Sequence, residues 1–211
     1  MRKVAVFDFD GTVIRGDSVV ALLLYARKRK AIPLSGLIRA ALYGLAYRVK
    51  LTDALTAKTR SHAFLADMPA KEREDFLRAF AHALTDRAYP QAVEQIRSHR
   101  ASGDMVMICS ASCACYMRYV SEYLGADALL CTPSEADGRV RGPNCRGEEK
   151  VRRVTAWLQE RGLSQDAVCA AYGDSRGDAP ILKLSAHPVL INAKRGLKKL
   201  MPDAERREWK R

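Results

Sequence analysis

The sequence predicts an α/β fold: a Rossmann-like parallel sheet with helices on both faces and an inserted all-helical cap domain. Three observations carry this. Beyond Tyr89-Pro90, short apolar runs alternate with amphipathic helical stretches, the rhythm of a parallel sheet with crossover helices. Residues 3–9 read as a lone strand that turns at Gly11, and no convincing strand follows until Arg87. The intervening block is helical and broken by Pro33 and Pro69. The expected division is therefore a core of residues 1–15 and 88–211, and a helical cap of residues 16–87.

Each element has its own justification. Residues 19–29 place Val19, Leu22, Leu23 and Ala26 on one face and gather basic residues at the end, where a helix dipole favours them. Helical segments follow around 37–49, 52–65 and 70–84. In the second half, 91–99, 113–124, 149–161 and 179–184 read as helices. Residues 105–109, 128–131, 167–172 and 189–191 read as strands.

Composition fits this picture and narrows the partners. The chain has 211 residues, 48% hydrophobic and 28% charged, which is the balance of a folded protein and excludes disorder. No short repeat occurs, so collagen and coiled coil are excluded. Lys and Arg number 36 against 24 acidic residues, a net charge of +12. That excess leaves nucleic acid, an anionic membrane surface or phosphate-bearing substrates open as partners. Cys109, Cys131 and Cys169 lie inside or at the ends of apolar runs, and none of the six cysteines forms a CxxC pair, so neither zinc-ligand spacing nor a disulfide framework is expected. Acidic residues in MRKVAVFDFDGT arrive too early for a signal peptide, and the uncharged stretches 18–26, 31–38 and 40–47 are too short to span a membrane. A reduced, soluble, cytoplasmic protein is expected.

Four places carry chemistry. In Asp8-Phe9-Asp10-Gly11-Thr12 the two carboxylates are two residues apart, so on an extended segment they face one spot at a strand's carboxyl end. The plain alternative is a strand-ending Asp-Gly turn. A second acidic cluster, Gly173-Asp174-Ser175-Arg176-Gly177-Asp178, follows another strand-like run and precedes a helix opening Ala179-Pro180. Asp174 and Asp178 alone would pass for helix caps. Four carboxylates converging on one sheet edge repel unless a divalent cation lies among them, and hard oxygen ligands beside a phosphate favour Mg²⁺. Ser110 ends the run Met105–Cys109 and, with the first amides of the next helix, makes an anion cradle or else a simple N-cap. Lys150 stands in a helix's first turn, against the dipole, where an exposed lysine is the ordinary alternative.

Together these residues resemble a known family. DFDGT near the N-terminus, a strand ending in Ser110, Lys150 at a helix start and GDSRGDAP are similar to the four motifs of haloacid dehalogenase-superfamily phosphatases. The helical insertion after the first motif is similar to the subgroup that includes phosphoserine phosphatase. The resemblance implies a Mg²⁺-dependent phosphomonoester hydrolase. Asp8 is then the nucleophile that forms an aspartyl-phosphate, and Asp10 the acid and base. The metal lies among Asp8, the Asp10 backbone carbonyl, Asp174 and Asp178, while Ser110 and Lys150 hold phosphoryl oxygens.

The cap bears on the substrate. In the phosphoserine branch a Glu seven residues past the second acid of the first motif, together with a cap Arg, grips the amino-acid head group. Asp17 stands at the first position here, shorter by one methylene. Lys58, Arg60 and His62 are offered by the cap, with Arg60 the candidate arginine. A small phosphorylated metabolite is expected, with phosphoserine itself or a phospholipid head group as alternatives. Basic residues 27–30 run into an apolar stretch ending at Arg48 and Lys50. Its plain reading is a helix pair packing its apolar face on the core. The second is peripheral contact with an anionic membrane, loosely similar to phosphatidylglycerophosphate phosphatases of the same subgroup. Nucleic acid is disfavoured, since no aromatic residues interleave the basic ones and no binding motif occurs.

Overall fold

The computed structural model describes residues 2–210. Its six strands form one fully parallel sheet in the order β3-β2-β1-β4-β5-β6. In chain order these are β1 Val4–Phe7, β2 Met105–Cys113, β3 Ala128–Thr132, β4 Val168–Gly173, β5 His187–Ile191 and β6 Glu205–Arg207. The four residues of β1 are buried throughout, as a central parallel strand covered on both faces requires. Their alternation divides the core in two. Ala5 and Phe7 pack into one apolar cluster, and Val4 and Val6 into the other, on the opposite face.

Helices α5 (Pro90–Ala101) and α6 (Ala114–Leu124) cover the first face. The second face is covered by α7 (Glu148–Gln159), α8 (Ala179–Leu184) and α9 (Arg195–Leu200). Strand order reverses at β1, where β2 lies on one side and β4 on the other. In such sheets the crevice beyond the carboxyl ends of the strands is where ligands bind.

Between β1 and β2 the chain runs through α1 (Ser18–Lys28), α2 (Leu34–Arg48), α3 (Ala54–His62), a 3₁₀ turn over Ala63–Asp67, and α4 (Ala70–Thr85). Its exit and return are stitched together. Ile14 bridges Ala88, and the Tyr89 amide donates to the Val13 carbonyl at 2.9 Å. The two halves of the sheet thus stay joined across the insertion.

Three features depart from the sequence reading. Strand β2 runs to Cys113, beyond the expected end at Cys109, because a register shift between Ser110 and Cys113 lets Cys113 pair with Thr132. Ser110 and Ser112 interrupt the apolar run that marks the strand, so the bulge was hidden. Helix α9 and strand β6 were not expected. The three residues of β6 are Glu-Arg-Arg, and charge on a short edge strand blunts further pairing instead of signalling burial. Finally, α2 does not turn its whole apolar surface inward: Leu34, Ile38, Leu42, Leu45 and Val49 are exposed. The plain reading of the cap, with that surface packed on the core, is corrected here. Among the described residues all six cysteines are free, and no helix is long and apolar enough to cross a membrane.

Candidate active site

Asp8 and Asp10 leave the end of β1, and Asp174 and Asp178 leave the end of its neighbour β4, so adjacent strands deliver both acidic clusters to one crevice. Carboxylate oxygens of Asp8, Asp174 and Asp178 all lie within 4.8 Å of one another. Two glycines make this possible. Gly11 has φ +80°, and a Cβ there would stand 2.5 Å from Asp174 Oδ2. At Gly173 a Cβ would stand 2.6 Å from that of Asp178.

Lys150, in the first turn of α7, is 1% exposed and lies between two of these acids. Its Nζ donates to Asp8 Oδ1 at 2.6 Å and to Asp178 Oδ1 at 2.8 Å. The unfavourable position against the helix dipole is thus offset by a buried pair of carboxylates. Burial, then the Asp178 charge, push the Asp8 carboxyl up to about 8, with Lys150 pulling the other way. Burial also works against ionised Asp178, but Lys150 and Ser175 outweigh it and hold its carboxyl below the usual range. Ser175 donates to Asp178 through both its amide and its hydroxyl. Asp174 is raised by burial, against the pull of Lys194, whose Nζ lies 2.5 Å from Asp174 Oδ2.

Asp10 lines the same cavity but its carboxylate is held in a separate network. It accepts from the Ser18 amide at 2.6 Å, the Ser18 hydroxyl at 3.1 Å and the Ser112 hydroxyl at 2.5 Å. Tyr116 lies 2.8 Å from the Ser18 hydroxyl. Burial, then the Asp17 charge, push the Asp10 carboxyl up to about 6, against the opposing bonds from Ser112 and Ser18. A carboxyl in that range can give up and retake a proton near neutral pH.

These groups open on a cavity of about 160 Å³. Its lining has five aspartates (Asp8, Asp10, Asp17, Asp174, Asp178) and three cations (Arg146, Lys150, Lys194), so full ionisation leaves two negative charges, the complement of one divalent cation. The all-oxygen donor set suits a hard ion such as Mg²⁺.

The other expected residues fare differently. Asp17 lines the cavity but commits one oxygen to capping α1, accepting from Val19 and Val20 amides at 2.9 and 3.0 Å. Ser110 is fully buried, and its oxygen accepts from the Ser112 amide at 3.0 Å. The cavity wall beside it is Ala111, and α6 begins only at Ala114, so the helix amides do not join Ser110 in a cradle. Arg60 is exposed, with its guanidinium 5.8 Å from the Tyr43 ring, and does not line the cavity. Lys58 is the cap cation that turns inward, donating to the Ala111 carbonyl and to Asn144 Oδ1. Sequence reasoning missed Ser18, Ser112, Tyr116, Arg146 and Lys194.

A strand-end aspartate cluster at the switch point of a parallel sheet, with a buried lysine across it, makes a site suited to a hard cation and an anionic group. Residues 5–183 match the haloacid dehalogenase-like hydrolases, and the chain belongs to that family. It is 29% identical to a histidinol-phosphatase of Neisseria meningitidis, over 99% of this chain and 97% of that protein. A Bordetella pertussis protein of unknown function matches at TM-score 0.86 and 26% identity, covering 98% of each chain. A phosphoserine phosphatase solved as a phospho-aspartyl intermediate analogue shares the fold, at TM-score 0.66 and 18% identity over 97% of this chain and 92% of that one.

Proposed function

We propose that this hydrolase is a phosphatase, a Mg²⁺-dependent phosphomonoesterase that works through an aspartyl-phosphate on Asp8 and acts on a small phosphorylated metabolite. The observation that carries the reading is the trio Asp8, Asp174 and Asp178 within 4.8 Å, with Lys150 bonded to two of them. Asp8, Asp174, Asp178 and the Asp10 backbone carbonyl would hold the cation. When bound, Mg²⁺ supplies charge that lets a phosphate approach four aspartates and stabilises the oxygens of the transferring group.

The chain's own residues do the rest. An Asp8 oxygen attacks phosphorus as the bond from phosphorus to the substrate oxygen breaks. Asp10, held by Ser18 and Ser112, gives its proton to the departing alcohol. It then takes a proton from water, which attacks phosphorus and frees Asp8 and inorganic phosphate. Lys150 and the strand bulge at Ser110-Ala111 hold the phosphoryl oxygens. Residues 1–15 and 88–211 form the catalytic core, and residues 16–87 a cap that bounds the leaving-group side and carries Asp17.

The cavity of about 160 Å³ favours a small leaving group. The Neisseria relative makes an amino-alcohol phosphate the first substrate to test, and Asp17 is the carboxylate placed to meet an amine. The test is phosphate release from histidinol phosphate, phosphoserine, sugar phosphates, phosphocholine and a lysophospholipid phosphate, each with and without Mg²⁺. A preference of kcat/KM for an amino-alcohol phosphate supports this reading, and a preference for the lipid substrate overturns it.

A further inference from the structure

Helix α2 is apolar on two opposite faces. One is the inward face, where Gly36 and Ala40 are buried as α2 packs against α1 and α3. On the other, Leu34, Ile38, Leu42, Leu45 and Val49 are 57, 53, 61, 57 and 56% exposed. At about 100° per residue these five share an arc of roughly 80°, centred on the side away from Gly36 and Ala40. Leu51, just past the helix, is 82% exposed. Single exposed leucines are ordinary, but a stripe along the whole length of a helix needs a partner.

Charge tells which partner. Between residues 18 and 52 the chain has seven Lys and Arg, at 27–30, 39, 48 and 50, and no Asp or Glu. Arg39 and Arg48 fall on opposite flanks of the stripe by the same helical geometry. Lys28–Lys30 end the neighbouring α1 and begin the link to α2. A second copy docking by a twofold axis would bring this uniformly positive surface against itself. An anionic surface complements it. At 15 residues α2 is about 22 Å long, short of the roughly 30 Å needed to span a bilayer, so it would lie in the plane of the interface.

We propose that α2 is a membrane-docking helix, with its outer stripe seated in the interface of an anionic bilayer and the flanking lysines and arginines at the level of the lipid phosphates. This goes beyond the phosphatase reading and does not rest on it.

The test is flotation of the full chain with vesicles of equimolar phosphatidylglycerol and phosphatidylcholine, or of phosphatidylcholine alone, beside sedimentation without lipid. Binding to the anionic vesicles only is expected, weakening as salt rises. The double variant Leu42→Ser/Leu45→Ser should bind about tenfold more weakly, and Arg39→Gln/Arg48→Gln should also lose affinity. All the substituted side chains are exposed, and unchanged melting curves would verify the fold. Failure to bind anionic vesicles, equal binding to neutral ones, or undiminished binding by the serine variant would overturn the proposal. So would a lipid-free dimer that the serine variant dissolves, since the stripe would then belong to a second copy.

Discussion

Asp174 packs onto Gly11 so closely that a side chain at position 11 has no room: a Cβ there would stand 2.5 Å from Asp174 Oδ2. The contact joins the turn after β1 to the end of β4, the two places that supply acids to the site. Gly11→Ala would meet both this clash and a φ of +80°, a backbone state that costs an L-residue on the order of 1–2 kcal/mol. The expected result is a folded protein with Asp174 displaced and Mg²⁺ affinity lower by about tenfold or more. Calorimetric titration with Mg²⁺ checks it.

Asp10 should govern the alkaline limb of the pH profile, since it must be protonated to release the alcohol. Its carboxyl is pushed up to about 6 by burial and by Asp17, and the bond from Ser112 opposes that rise. Removing the Ser112 hydroxyl favours the protonated form, so Ser112→Ala should move the alkaline limb of kcat/KM to higher pH. An unmoved limb would remove Asp10 from the role of acid.

Metal-free protein should carry a pH-dependent penalty at Asp8. Its folded pKa is raised from 3.8 to about 8, so between those values the folded state keeps a proton that the unfolded chain has lost. Stability from this group therefore falls as pH rises through that window. Asp8→Asn cannot ionise, so in EDTA its Tm should gain on the parent between pH 4 and pH 8 and then level off. Thermal melts of both proteins across that range decide it.

His62 contributes with the opposite sign. It is fully buried, its Nδ1 hydrogen donates to the Lys58 carbonyl at 2.7 Å, and burial lowers its pKa from 6.5 to about 4. The folded state thus refuses a proton that the unfolded chain accepts, and stability is present in full above pH 6.5 and lost as pH falls towards 4. The loss should be roughly 3 kcal/mol. Urea unfolding at both ends of this window should show a smaller difference in His62→Leu.

The acids of the site were legible because each pair follows an apolar run, and strand ends in a parallel sheet converge. Lys150 was legible because its place in a helix's first turn is unfavourable unless something offsets it. The network that orients Asp10 was hidden for a physical reason. Ser18 meets Ser112 and Tyr116 from 94 and 98 residues away, and no local pattern marks a hydroxyl for such a partner. Arg60 was preferred over Lys58 by residue type, yet the two are two positions apart on a helix and face different sides. Only the packing of α3 selects which one turns inward. The outer stripe of α2 has the same periodicity as a buried face, so hydropathy could not tell exposure from burial.

Chemical trapping of residue 8 bears most directly on the central claim, that Asp8 is the nucleophile. The protein is quenched during turnover with Mg²⁺ and a hydrolysed phosphomonoester, then treated with borohydride, which reduces an acyl phosphate to an alcohol. Mass spectrometry of the peptide around Phe7-Asp8-Phe9 should find homoserine at position 8. Asp8→Asn should release no phosphate under the same conditions. Unmodified Asp8 during active turnover, or undiminished phosphate release by Asp8→Asn, would contradict the account.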